Sequence, residues 1–87
     1  MFTAYTIYNT ALDKIYIGYT SDLENRLKQH NGILKNKTSS FTSKNKGSWV
    51  LIYKEIFATR KEALKREKEL KSYRGREFVR KLINKNN

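Results

Sequence analysis

Residues 15–31 read IYIGYTSDLENRLKQHN, and no single secondary structure accommodates them. Ile15 and Ile17 alternate with Tyr16 and Gly18, the two-residue period of a strand. From Leu23 the apolar spacing widens to four residues, Leu23 to Leu27, the period of a helix. Ser21-Asp22-Leu23-Glu24 between them matches the S-x-x-E capping box, so a helix is predicted over 22–31. Asn31-Gly32 supplies its stop. Any fold of this chain must carry a strand directly into a helix. The helix sets Arg26 and the sole histidine, His30, four residues apart on one face.

The strand needs partners. Residues 2–9, FTAYTIYN, are rich in β-branched and aromatic residues and read as one, returned through a short turn at 10–13. Pairing Asn9 with Lys14 sets Ile7 opposite Tyr16 and Tyr5 opposite Gly18, with all four on one face. Residues 33–48 are polar and basic and read as a loop with a short turn near Phe41. Residues 49–57, WVLIYKEIF, form a third strand whose nearly continuous apolar character predicts cover on both faces. Thr59 to Glu62 is a second capping box, opening a helix to about Ser72. A break is predicted at 73–76, around Gly75, and then a last helix from Glu77 to about Lys85. Its apolar face is Phe78, Val79, Leu82 and Ile83. The expected fold is one α+β domain over 1–87, a small three-stranded antiparallel sheet flanked by helices in the order ββαβαα.

Nineteen Lys and Arg stand against eight Asp and Glu, a net charge of +11. On a small domain that field attracts polyanions, nucleic acid first and an anionic membrane surface second. An aromatic content of 13% argues against a disordered basic tail. The absence of cysteine excludes disulfides and thiolate metal sites. No apolar stretch is long enough for a membrane span, and no signal peptide is visible, so a cytoplasmic monomer is expected.

Glu67 is the most informative carboxylate. It lies four after Ala63, three after Leu64 and three before Leu70, in the middle of the apolar stripe of its helix. Burying it alone is costly, so it needs a basic partner or a metal ion. Arg26 has the planar fork that clamps a phosphate, or it pairs with Asp22 one turn earlier. His30 by itself reads as a hydrogen-bonded or solvated residue, and its spacing from Arg26 makes it a site candidate. Tyr5, Tyr8, Tyr16 and Tyr19 crowd one hairpin. They satisfy strand propensity, and beside positive charge they can also serve as donors or bases.

Taken together these residues resemble the GIY-YIG nuclease superfamily, and above all its small single-domain bacterial members. The second signature stands intact as Tyr16-Ile17-Gly18. The first is degenerate, Thr3-Ala4-Tyr5, with its tyrosine eleven positions before Tyr16. Arg26, His30 and Glu67 fall at the family's arginine, His/Tyr and metal-binding glutamate positions, and Tyr19 at one that is often lysine. An asparagine that many members carry after the metal helix has no counterpart, since residues 76–80 read REFVR and Asn84 comes late.

The resemblance implies an endonuclease that hydrolyses phosphodiester bonds in nucleic acid, expected to be DNA, with a link to DNA repair. It implies catalytic roles for Tyr5, Tyr16, Arg26, His30 and Glu67. Tyr5 as phenolate or His30 would be the base. One Mg²⁺ or Mn²⁺ would be held by Glu67 and waters. Tyr19, Lys35, Lys37, Lys44 and Lys46 are expected to contact the nucleic-acid backbone. The alternatives are a catalytically weak nucleic-acid-binding module that keeps the fold, and a structural protein of a ribonucleoprotein. The second has no reason to place Glu67 in an apolar stripe.

Overall fold

The computed structural model describes residues 1–31 and 48–85. The elements are β1 (Phe2–Asn9), β2 (Lys14–Thr20), α1 (Leu23–His30), β3 (Trp49–Phe57), α2 (Arg60–Lys71) and α3 (Tyr73–Lys85). Their order is ββαβαα, and the antiparallel sheet runs β2-β1-β3. β1 is the central strand, and Ala4, Tyr5, Thr6 and Ile7 are all fully buried along it.

The hairpin register is the expected one: Asn9 pairs Lys14, Ile7 pairs Tyr16, and Tyr5 pairs Gly18. The Asn9 side-chain oxygen accepts from the Leu12 N–H at 3.1 Å, which folds the turn back. Asp13 closes it with φ 52°, a conformation short polar residues tolerate. Its carboxylate accepts from the Tyr8 hydroxyl and from Arg80 of α3, each at 2.7 Å.

The two sheet faces carry separate cores. On one, Tyr5, Ile7 and Trp49 pack with Tyr16 and with Leu23 and Leu27 of α1. On the other, Ile17 packs with Leu70 of α2 and with Val79 and Ile83 of α3. α1 therefore covers one face, and α2 with α3 the other.

Four expectations need correction or lie outside the description. The cap of α1 is Asp22, not Ser21: its carboxylate accepts from the Asn25 N–H at 3.2 Å, and the helix proper starts at Leu23. β3 is not covered on both faces, for Val50, Leu51 and Ile56 are exposed. It is an edge strand, and a register shift between its pairings Thr6–Tyr53 and Ile7–Leu51 leaves Ile52 as an extra residue, so its apolar residues do not all face a core. The break at 73–76 does not exist. α2 ends at Ser72, and α3 begins at once with Tyr73. Ser72 serves both helices, donating its hydroxyl to the Glu69 carbonyl at 2.5 Å and accepting from the Gly75 N–H at 3.3 Å. Gly75 is helical, and a side chain there would collide with the Glu69 carbonyl and the Leu70 backbone, so it permits close contact between helices. The loop over 33–48, with its turn near Phe41, falls outside the described residues except for Ser48.

Candidate active site

β1, β2 and α1 bring four of the predicted site residues together. Tyr5 is fully buried, and its hydroxyl lies 2.7 Å from His30 Nε2. The Tyr16 ring stacks obliquely on both, with centroids 6.2 Å from Tyr5 and 4.8 Å from His30. Gly18 makes this crowding possible: a Cβ there would lie 2.9 Å from Tyr16 Cε1 and 3.0 Å from the Tyr5 hydroxyl. The Arg26 guanidinium lies beside both phenols and interacts with each. It also donates to Gln29 Oε1 at 2.8 Å. Asp22 is not its partner, since that carboxylate caps the helix and accepts from the Asn25 amide at 2.7 Å.

Asn31 holds α1 in this position. Its side-chain oxygen accepts from the Trp49 N–H at 2.6 Å, and its amide donates to the Trp49 carbonyl at 3.0 Å. The end of α1 is thereby stitched to the start of β3. In the sequence Asn31 reads as a helix stop and nothing more.

The electrostatics follow from burial and from Arg26. Burial pushes the Tyr5 phenol well above its ordinary range, Tyr16 adds to the rise, and hydrogen bonding to Arg26 offsets only part of it. A Tyr5 phenolate is therefore disfavoured at neutral pH, against its expected role as base. Burial, with Arg26 nearby, lowers His30 to about 4, so the ring is neutral at pH 7. Its Nε2 faces Tyr5, and the residue is 4% exposed. Burial also works against the Arg26 charge, but its bonds to Tyr5 and Tyr16 outweigh this and the net shift is upward. The result is a cation stabilised beside the Tyr5 phenol and the neutral His30 ring.

Glu67 arrives from the other face of the sheet. Its side chain is 12% exposed and ion-paired to Lys71 Nζ at 2.6 Å. Its charge still reaches Tyr5 and contributes to the raised phenol pKa. A hollow of about 250 Å³ at the β2 edge connects the two faces, lined by Tyr16 from the α1 side and by Ile15, Ile17, Lys71 and Arg76. Arg26 and Glu67 thus belong to helices on opposite faces of the sheet, with β2 at its edge.

Tyr19 is held by Arg60, whose Nε donates to its hydroxyl at 3.1 Å while the guanidinium lies 5.7 Å from the ring centre. Lys35, Lys37, Lys44 and Lys46 lie outside the described residues. Sequence reasoning passed over Arg60, Lys71 and Arg76. Lys71 was findable, four residues after Glu67 on the same helix.

Sheet order and flanking helices define a small α+β domain. Comparison with protein-family models matches residues 1–82 to the GIY-YIG catalytic domain. The chain belongs to the GIY-YIG family. It is 39% identical over 69 residues to a UPF0213 protein of Staphylococcus saprophyticus, covering 79% of this chain and 78% of that one. It is 36% identical over 61 residues to one of Staphylococcus haemolyticus, covering 70% of each. The solution structure of a UPF0213 protein from Bacillus halodurans matches with a TM-score of 0.52 at 27% identity, covering 94% of this chain and 85% of that one. No helix among the described residues is long and apolar enough to cross a membrane.

Proposed function

We propose that this protein is a metal-dependent endonuclease that hydrolyses phosphodiester bonds in DNA. The observation that carries the reading is the buried cluster of Tyr5, Tyr16 and a neutral His30, with the Arg26 cation beside it. A charge held in place before the substrate arrives needs no reorganisation as charge builds on the phosphate oxygens.

Each residue then has a role. Arg26 stabilises the pentacovalent phosphorus. Tyr5 accepts from Arg26 and donates to His30 Nε2, which holds the guanidinium, the phenol and the ring in one orientation. Tyr16, half-buried beside the hollow, orients the attacking water. Glu67 would hold the cation. Among the described residues no three His, Asp or Glu side chains gather into a metal cage. A single, largely buried carboxylate would suit a hard, hydrated divalent cation such as Mg²⁺ or Mn²⁺. When bound, such an ion supplies Lewis-acid polarisation of the phosphate and charge for the leaving oxygen.

The pairing of Glu67 with Lys71 favours a second reading, a nucleic-acid-binding module in which Glu67 is only an ion-pair partner. Plasmid nicking separates the two. We expect supercoiled plasmid to be nicked with Mg²⁺ and left intact with EDTA, while gel-shift binding persists in both. Binding without cleavage under every divalent ion would favour the module.

A further inference from the structure

Lys71 is the residue whose position the proposed chemistry leaves unexplained. Its ammonium lies 2.6 Å from the one carboxylate assigned to the cation, with Lys71 itself about half exposed at 49%. It also lines the hollow at the β2 edge together with Tyr16 and Arg76. Arg76 is set in place by its Nε donating to the Lys71 carbonyl at 3.2 Å. Two cationic side chains and a candidate site tyrosine thus surround a space of about 250 Å³ that opens beside the cluster.

We propose that Lys71 is an exchangeable counter-ion: it occupies Glu67 until a divalent cation displaces it, and then turns into the hollow to bind, with Arg76, a phosphate of the DNA strand flanking the scissile one. This rests on the reading of Glu67 as the metal-holding residue. The physical grounds are simple. A carboxylate only 12% exposed needs a positive partner in every state, and Lys71 provides one when the cation is away. An ammonium on a flexible four-carbon stem can move between Glu67 and a nearby anion in the hollow more easily than a planar guanidinium can. Displaced from Glu67, Lys71 faces Arg76, and like charges across a small hollow make an anion the favourable occupant. Metal binding and strand binding are then linked through one side chain, each favouring the other.

The test measures Mn²⁺ binding directly, from the free-Mn²⁺ electron paramagnetic resonance signal, in the absence of DNA. Lys71→Ala and Lys71→Gln should each bind Mn²⁺ roughly three- to fivefold more tightly than wild type, the effect of removing a partly exposed competing ion pair. Glu67→Gln should lose this site. In Mn²⁺, both Lys71 variants and Arg76→Ala should bind a phosphorothioate oligonucleotide more weakly than wild type. Without metal the Lys71 variants should differ from wild type much less. Unchanged or weaker Mn²⁺ binding by both Lys71 variants, with Glu67→Gln still losing the site, would overturn the exchange and leave the metal assignment standing. Mn²⁺ binding that Glu67→Gln does not alter, or none in any variant, would overturn both. The two Lys71 replacements separate charge from packing, and melting temperatures show that each variant is folded.

Discussion

His30 shows how far a single residue can depart from its sequence-level reading. Four residues after Arg26, it was legible as a site candidate by spacing alone. Its burial was not legible, because that depends on β1 passing beneath α1 and on Asn31 anchoring the helix end to β3. Nor was the consequence for Tyr5, which a sequence reader can regard as a base until its burial is seen. The lowered His30 pKa makes a prediction of definite sign. An unfolded histidine titrates near 6.5 and the folded one at about 4. The unfolded state therefore takes up the proton first, and stability present above pH 6.5 is lost as the pH falls toward 4. We expect a melting-temperature decline over that window that His30→Gln flattens, corresponding to roughly 2–3 kcal/mol at most. Equal slopes in the two proteins would place His30 in a solvated setting.

Among the elements, β2 does much to build the site, because it puts Tyr16 on the α1 face and Ile15 and Ile17 on the other. Its alternation was readable, and so was the register that sets Gly18 against Tyr5. What the glycine accommodates became visible only in three dimensions: two tyrosine rings meet over it. Gly18→Ala should destabilise the domain by about 1–3 kcal/mol through overpacking. It should also separate the Tyr5 hydroxyl from His30, seen as a shift in the His30 ring resonances by NMR. A Gly18→Ala protein with wild-type stability and unchanged His30 shifts would mean that the rings have slack. The misread elements share one cause. Gly75 looked like a helix break, and β3 looked buried, because residue type was read without the neighbour that decides it. For Gly75 that neighbour is the α2 backbone, and for β3 it is the second neighbouring strand that it lacks among the described residues.

At the scale of the whole molecule, charge and fold cooperate. Asp13, Glu24, Glu55, Glu67 and Glu69 are each ion-paired within the domain. The net charge of +11 is therefore carried by the basic groups left over. A sequence-blind attraction to phosphate follows, and it depends on salt through counter-ion release. Replacing Lys44 and Lys46 by alanine should weaken binding to all DNA sequences alike and reduce the salt slope by roughly one to two counter-ions. An unchanged slope would exclude those lysines from the interface.

The central claim is that Glu67 serves the chemistry and not merely the packing, and one paired measurement on Glu67→Gln tests it most directly: the Mg²⁺-dependent cleavage rate alongside the melting temperature. The amide keeps the size of the side chain and removes the charge that would hold the cation. The account predicts that cleavage disappears while DNA binding persists and the protein remains folded. A folded Glu67→Gln protein that cuts at the wild-type rate in Mg²⁺ would contradict it. So would a variant whose cleavage falls only in proportion to a loss of stability, which for the half-exposed Lys71 left without its partner would be about 1 kcal/mol.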